Sequence, residues 1–342
     1  MKKIISIFVI CSTMVLLIGC RENQGEFPEI NENEEVFMNT EELVNVLTSI
    51  DNQTQSLNTM LLSMNLDISV KEEYMDIWTF TKISESTADI NIQSKTYVSL
   101  SDDIKKVQII SKNEIDSLIK STIFEDTSLN EEQTVTGTFD AYFTDQYLYY
   151  NADLKGGSMY VDNGKYQMNV AITQSVWDDF FVNNDDTFDD FTDIDINALA
   201  HIDNKKMINA LFAAEMIKVY QNKKKTTVVL DIKKNDLLDH AYQLLNGMYD
   251  TSTWTTSDFN NYKTNNFEIP LDMFEFLESQ IAFVIEDNQI TKIGCQVYAY
   301  IMDNSLKIEI SGTFVFDMFV DMPKMPNDLD EYKLTDIPFN IF

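Results

Sequence analysis

Residue types that carry out catalysis are scarce in this chain of 342 residues, which contains two histidines and three cysteines. Neither His201 nor His240 lies in a nucleophile motif such as G-x-S-x-G, and neither has a second histidine at metal-binding spacing. Both are predicted to be structural or exposed. Cys295 alternates with Ile293 and Val297 on an apolar strand face, which predicts a packed, unreactive thiol. We therefore predict a protein without catalytic activity and without a cofactor.

Basic residues are also few, since 25 lysines and arginines stand against 56 aspartates and glutamates and the net charge is −31. Such a field repels nucleic acid and excludes it as a partner, while it favours cations and basic protein partners. The hydrophobic content of 44% is enough to fill a sizeable core. This content excludes a wholly disordered chain.

A predominantly apolar run extends from Ile4 to Ile18 after two lysines, and it is too short to span a bilayer as a helix. It leads into Leu17-Ile18-Gly19-Cys20, which resembles the lipobox of bacterial lipoproteins. The resemblance implies that residues 1–19 are a signal peptide and that Cys20 is lipidated. Cys20 would then anchor the mature protein to the cell membrane on its extracytoplasmic side. No internal disulfide is expected, because Cys295 is the one thiol left after cleavage and lipidation.

Residues 20–38 are predicted to be the lipidated cysteine and a flexible acidic tether. The stretch from Arg21 to Phe37 contains six glutamates and shows no apolar periodicity. Its seventeen residues give a root-mean-square reach of roughly 20–25 Å.

A second acidic segment, Asp178–Asp195, contains eight aspartates interleaved with phenylalanines. Clustered carboxylates suit extracellular calcium, but the segment departs from an EF-hand loop. Counted from Asp193, Ala198 stands where the loop needs glycine, and Asn204 stands where it needs glutamate. An acidic surface loop pinned by its phenylalanines is the favoured interpretation, and calcium binding stays open.

Hydrophobic periodicity predicts mostly strands in the first half of the chain. Asn39 is expected to cap a helix. The apolar residues of Met60–Val70 alternate over six repeats, which is typical of a strand with one buried face. The other elements predicted here are a partner strand at Tyr74–Ile83, strands near Ala88–Leu100, a short helix near Asn113–Phe124, a hairpin of Thr138–Phe143 with Gln146–Asn151, and a hairpin of Ser158–Asp162 with Lys165–Val170.

In the second half, apolar stripes predict helices at Lys205–Tyr220 and from Asn235 to Met248, with a strand at Thr226–Ile232 between them. Three long strands are predicted to close the fold, at Ile281–Glu286, Gln289–Ile301 and Leu306–Phe319. In the last strand, Phe316 is expected to face the core and Asp317 the opposite side.

This order of elements resembles the LolA/LprG-like lipoprotein carriers over residues 39–325, leaving 326–342 as a C-terminal tail. The match is strongest at Phe139–Asn151 (FDAYFTDQYLYYN), Leu237–Leu245, Phe283–Tyr300 and Leu306–Pro323. The resemblance implies an α+β fold with a single long, strongly curved antiparallel sheet, a half-barrel, with helices on its concave face. Several members of that family hold a lipid or another hydrophobic ligand between sheet and helices.

We therefore expect a membrane-anchored lipoprotein that binds a hydrophobic or lipid-like ligand in a cavity between sheet and helices. Met216 and Leu245 are the candidates for lining this cavity, because both lie on the apolar stripes of the predicted helices. The alternative is a fully packed domain of the same fold that binds a basic protein partner in the cell envelope.

Overall fold

Long antiparallel strands dominate the structure, a computed structural model that describes residues 26–38, 40–51, 59–76, 79, 81–99, 101, 103–124, 127–156, 163–169, 204–222, 224–249, 251–287, 289–303 and 305–334. The strands are β1 Thr59–Met75, β2 Lys82–Ser99, β3 Gln108–Ile123, β4 Glu131–Thr144, β5 Tyr147–Lys155, β6 Gly164–Asn169, β7 Ile217–Asn222, β8 Lys225–Lys233, β9 Phe274–Glu286, β10 Gln289–Asp303, β11 Leu306–Met318 and β12 Lys333–Leu334. The α-helices are α1 Thr40–Asp51, α2 Asn204–Ala213, α3 Lys234–Asp239, α4 Ala241–Met248, α5 Thr256–Lys263 and α6 Ile269–Asp272. A π-helical turn, Thr264–Glu268, joins the last two helices.

The chain divides into two compact units. The first contains the described residues 59–169 and 303–334, and the second contains 27–51 and 204–302. The coarse fold prediction is confirmed, since antiparallel sheet forms most of the structure and helices are few.

In the first unit the strands follow the order β12-β6-β5-β4-β3-β2-β1-β11. The short β12 pairs with β6 in parallel, and the other neighbours are antiparallel. Strands β1, β2 and β3 have 17, 18 and 16 residues, several times the usual strand length of about 5–6. Such long neighbours in register present two broad faces, one on each side of the sheet.

The C-terminal segment packs on the first unit beyond residue 325, where the resemblance places the end of the domain. Tyr332 is 5% exposed and belongs to a cluster with Ile110 and Tyr142. Lys165 of β6 forms salt bridges with Asp328 and with Glu331, the latter at 3.1 Å between Nζ and Oε2. The described part of the predicted tail is therefore ordered against the sheet.

In the second unit the strands follow the order β10-β9-β8-β7, and the helices α2 to α6 belong to the same unit. The residues before α1 also pack here, although their acidic, aperiodic sequence predicts a flexible tether. Phe27 and Ile30 contact a buried cluster formed by Tyr220, Val229 and Ala282, and the Val36 amide donates to the Val219 carbonyl at 2.9 Å. Apolar anchors among the glutamates explain why this acidic segment is held in place.

Several predicted elements are confirmed, although β9 and β4 each begin seven residues before the predicted start and β1 ends five residues after the predicted end. The confirmed elements are the opening helix, the strand from Met60, the hairpin of β4 with β5, the strand at Thr226–Ile232 and the three closing strands. The hairpin turn lies at Asp145 and Gln146, both with positive φ, one residue beyond Thr144 and Asp145, which separate the two predicted strands. The predicted strand Lys165–Val170 corresponds to β6, and its predicted partner Ser158–Asp162 lies outside the described residues.

The predicted strand at Tyr74–Ile83 is wrong, because β1 continues to Met75 and the turn comes after it. The Asp76 side chain accepts a hydrogen bond from the Thr79 amide at 2.7 Å, and the Asp76 amide donates to the Thr81 carbonyl at 2.8 Å. An aspartate that caps its own turn in this way ends the strand locally. The partner strand β2 starts only at Lys82.

The predicted helix at Lys205–Tyr220 ends at Ala213 and is followed by β7. Glu215 has φ of 54°, and the Met216 amide donates to the Leu211 carbonyl at 2.9 Å. This is a Schellman C-cap, in which a residue in the left-handed conformation terminates the helix. Glycine is the usual residue at that position, so a glutamate there gives no signal in the sequence.

The predicted helix from Asn235 to Met248 is split into α3 and α4 at His240. Asn235 is not its cap, since α3 starts at Lys234 and its N-cap residue is Lys233. The predicted helix near Asn113–Phe124 is also wrong, because these residues lie in or directly after the strand β3.

Candidate ligand-binding face

The register of four neighbouring strands places a continuous set of apolar side chains on one side of the first unit. Directly paired residues of antiparallel strands point to the same side of a sheet. Ile68 of β1 pairs with Ile310 of β11 and with Ile90 of β2. The set, here called the apolar face, consists of Leu66, Ile68, Val70, Ile90, Ile92, Ile115, Ile119, Ile308, Ile310 and Phe314.

The side chains of the apolar face are half-buried rather than buried, and Ile119 is 42% exposed. Apolar side chains at the other end of the same strands are fully buried, since Met60 and Leu62 are each 2% exposed. Each strand therefore has a closely packed end and an end where large aliphatic side chains retain accessible surface. Contiguous accessible apolar surface of this kind is typical of a binding surface.

The opposite side of the same strand segments, here called the polar face, carries charged and amide side chains. Ser69 Oγ donates to Asp89 Oδ1 at 2.6 Å, and Asn91 Nδ2 donates to Asp67 Oδ1 at 2.5 Å. Asp67, Ser69 and Asp89 are exposed. The polar face is thus hydrogen-bonded and faces solvent, which makes the apolar face the inward side of an amphipathic sheet.

A row of small polar side chains lies on the same side of the sheet as the apolar face. It separates the apolar face from the closely packed end of the strands. Thr96 Oγ1 and Ser111 Oγ are 2.8 Å apart, and Ser111 Oγ donates to Asn113 Oδ1 at 3.0 Å. Because Ser111 has a single hydroxyl proton, Thr96 is the donor of the first bond. Asn113 Nδ2 donates to the Phe139 carbonyl. Ser111 and Asn113 are each 1% exposed, so this row is fully desolvated.

Ser94 completes this row, here called the polar row, of Ser94, Thr96, Ser111 and Asn113. It pairs with Met64 on one side and with Asn113 on the other, so its side chain shares their side of the sheet. Ser94 is 4% exposed, and among the described residues its hydroxyl has no hydrogen-bond partner. A buried hydroxyl without a partner costs free energy and requires an explanation.

Charged side chains are absent from this side of the four described strands over their central lengths, and Glu72, which pairs with Ser86 and Leu306, is the first charged residue beyond them on β1. The register assigns to it the alternate residues of Met60–Val70, Ser86–Val98, Ile109–Ile123 and Leu306–Met318, and these are apolar side chains, glycine, serine, threonine and asparagine. The exclusion of charged residues from these positions is a strong local bias in composition, because the chain as a whole has a net charge of −31. An ion on this side would find no opposite charge among these positions.

Met216 and Leu245, the predicted cavity residues, lie together in a buried cluster of the second unit. They are 2% and 1% exposed. The other buried members of the cluster are Ala214, Ala241, Leu244, Phe259, Phe267 and Leu271. The structure therefore brings the two residues together, but in surroundings typical of a packed core.

Cys295 and His240 are the other candidate residues that lie in the described part of the chain. Burial raises the pKa of the Cys295 thiol, which disfavours its reactive thiolate form. His240 lies between α3 and α4, and its Nδ1 is buried without a partner among the described residues. Within the described ranges, no group of three or more histidine, cysteine, aspartate or glutamate side chains could hold a metal ion. Cys20, His201 and Asp178–Asp195 lie outside those ranges.

Sequence reasoning identified several members of the apolar face as strand residues, but it did not identify the face as a site. The polar row was missed because serine and asparagine at inward positions break the expected alternation of apolar and polar residues. Strand β3 contributes Ser111 and Asn113 to this row, and Asn113 begins the segment for which a helix was predicted.

Comparisons with known proteins leave the chain without an assigned family, since no protein-family model and no curated protein matches it. Three solved structures illustrate the level of similarity. The translocator domain of autotransporter NalP from Neisseria meningitidis is 7% identical, with 81% of this chain and 95% of that chain covered and a TM-score of 0.20. The outer membrane protein OprG from Pseudomonas aeruginosa is 5% identical, with coverage of 77% and 93% and a TM-score of 0.14. A beta-barrel-like protein of the domain of unknown function DUF1849 from Brucella abortus is 8% identical, with coverage of 78% and 100% and a TM-score of 0.14.

These TM-scores are too low to support a statement about fold or function. Among the helices of the described residues, none combines the length and the apolar content needed to cross a membrane.

Proposed function

We propose that the protein is a lipid-anchored extracytoplasmic lipoprotein that binds a hydrophobic or lipid-like ligand on its apolar face without chemical conversion. One observation carries the proposal: four long strands align large aliphatic side chains over a continuous, uncharged and partly accessible surface. Ligand sites are mostly apolar with a small number of placed polar groups, and the polar row supplies such groups at one end. The proposal includes the half-barrel curvature and the helices on its concave face that the LolA/LprG-like resemblance implies.

Adding a charge at the centre of the apolar face tests this proposal. Ile68→Lys is expected to reduce ligand binding at least about tenfold, equivalent to about 1.4 kcal/mol, because a cation there must lose its hydration when an acyl chain covers it. The matched control is Ser69→Lys, which adds the same charge to the next residue on the polar face. There the lysine can pair with Asp89, the present partner of Ser69.

The measurement uses a monoacylglycerol whose acyl chain carries a photoreactive diazirine and an alkyne for detection. The full chain is expressed in bacteria, irradiated in its membranes with increasing probe, and digested for mass spectrometry. In the unmodified protein, labelled peptides should come from β1, β2, β3 and β11. The positions of these peptides test the proposal even if a variant fails to fold. Labelling of Ile68→Lys equal to that of Ser69→Lys, or labelling confined to other peptides, would contradict the proposal. A chain that is not labelled at all would favour the packed alternative that binds a basic protein.

Anchoring through Cys20 is a separate expectation. Cys20→Ala should leave the precursor uncleaved by the lipoprotein peptidase and block acylation, because both reactions require the cysteine thiol. We expect loss of metabolic labelling with an alkyne-bearing fatty acid and an upward shift in apparent mass on a denaturing gel. Cys295→Ala is the control and should be labelled and cleaved like the unmodified chain. Normal processing of Cys20→Ala would rule out the lipobox interpretation.

A further inference from the structure

We propose that Ser94, beside Asn113, binds an uncharged oxygen atom of the ligand, and that the ligand is a neutral single-chain amphiphile such as a monoacylglycerol. Its hydroxyl or carbonyl oxygen meets the polar row, and its chain extends along the apolar face. This inference rests on the proposed function, because it assigns a polar end to the same site.

The Ser94 hydroxyl is the observation that points to a ligand. It is 4% exposed, it shares one side of the sheet with the apolar face, and it has no partner among the described residues. Its neighbours in the polar row are different, since Thr96, Ser111 and Asn113 bond to one another and to the Phe139 carbonyl. A hydroxyl can both donate and accept, so Ser94 fits an alcohol or a carbonyl oxygen equally well.

The absence of charge on this side of the strands between Met60 and Val70 of β1 and at the paired positions of its neighbours selects a neutral ligand, and Glu72, which follows on the same side, is itself an anion. A fatty acid is ionised at neutral pH, and its carboxylate would lie next to Ser94 without a lysine or arginine at the neighbouring inward positions. Burial of an unpaired carboxylate is far more costly than burial of a hydrogen-bonded hydroxyl or ester. The net charge of −31 adds a repulsion for anionic ligands.

The length of the apolar face suits a long chain. Along β3, the residues from Asn113 to Ile119 span about 20 Å at 3.3 Å per residue. The polar row lies at one end of this span, next to the buried Met64 and Val98, and the accessible Ile119 lies at the other. The polar group of the ligand would thus be held at the closed end, with the chain directed towards the open end.

Three photoreactive probes with identical acyl-type chains test the inference: a monoacylglycerol, a fatty acid and a hydrocarbon without a polar group. In the full chain in its membranes, the monoacylglycerol should reach half-maximal labelling at the lowest concentration. Ser94→Ala should raise that concentration about two- to tenfold, the effect of one neutral hydrogen bond, and leave the hydrocarbon unaffected. Ser63→Ala is the matched control. Ser63 is also a buried hydroxyl without a partner among the described residues, but it lies on the opposite side of β1.

The outcomes separate this inference from the function on which it rests. Labelling of the apolar-face peptides with no effect of Ser94→Ala, or with an equal effect of Ser63→Ala, would overturn the role of Ser94. Preference for the fatty acid would overturn the neutral ligand and keep the site. If none of the three probes labels peptides of the apolar face, the proposed function itself fails. Ser94→Ala removes a hydroxyl that bonds to nothing in the described structure, so the variant is expected to fold.

Discussion

Phe316→Ala is expected to lower the free energy of unfolding of the first unit by about 3–5 kcal/mol. Phe316 is 5% exposed and pairs with Leu62 of β1, which is 2% exposed. Truncation of Phe316 would therefore leave a cavity in a packed region. Equilibrium unfolding in urea, followed by intrinsic fluorescence, measures the change.

The matched control is Lys307→Ala on the same strand, where the lysine is exposed and the expected change is within about 0.5 kcal/mol. Asp317 is a poorer control, because its half-buried side chain lies on the same side as Val315, which is 0% exposed. Equal effects of Phe316→Ala and Lys307→Ala would show that the register of β11 is misassigned.

Leu245→Ala is expected to lower the free energy of unfolding of the second unit by about 2–5 kcal/mol, since Leu245 is 1% exposed within its cluster. Gln243→Ala, on an exposed side of the same helix, is the control and should change little. Both are measured by urea unfolding, with Trp254, which packs against the cluster, as the local probe.

A larger side chain at the same position distinguishes a packed core from a ligand cavity. Leu245→Trp should cost about 1–3 kcal/mol through overpacking and should leave monoacylglycerol labelling of the first unit unchanged. Unchanged stability combined with reduced labelling would instead place the ligand beside Leu245 and Met216, as the sequence analysis expected.

Long, regular alternation was the feature that sequence reasoning interpreted most reliably. The strand from Met60 and the closing strands were predicted because one side of each is consistently apolar. In β3 that rule fails, since inward positions carry Ser111, Asn113 and Ser117 while Ile110 and Leu118 point to the other side. The small polar side chains on the inward side of β3 therefore made this strand difficult to recognise from its sequence.

The boundaries of the helices, and the π-helical turn between α5 and α6, were also not predicted from local sequence patterns. The end of α2 depends on Glu215 in a left-handed conformation, and the π-helical turn Thr264–Glu268 has no distinct sequence signal. Helix α5 begins with a capping box between Thr255 and Asp258, which is visible in the sequence but was not recognised there. Tertiary contacts, rather than propensity, determine how such short helices are placed.

The packing of Phe27–Val36 changes the distance at which a lipid anchor would hold this protein. With Phe27 fixed on the second unit, the stretch between the anchor and the folded protein falls from the seventeen residues Arg21–Phe37 to the six residues Arg21–Glu26. The seven steps along the chain from Cys20 to Phe27 span at most about 25 Å when fully extended and about 15 Å on average as a random coil. A protein held so closely would drift across the membrane surface with its body against the headgroups. It could then sample bilayer lipids by lateral diffusion, and a soluble pool of ligand would not be needed.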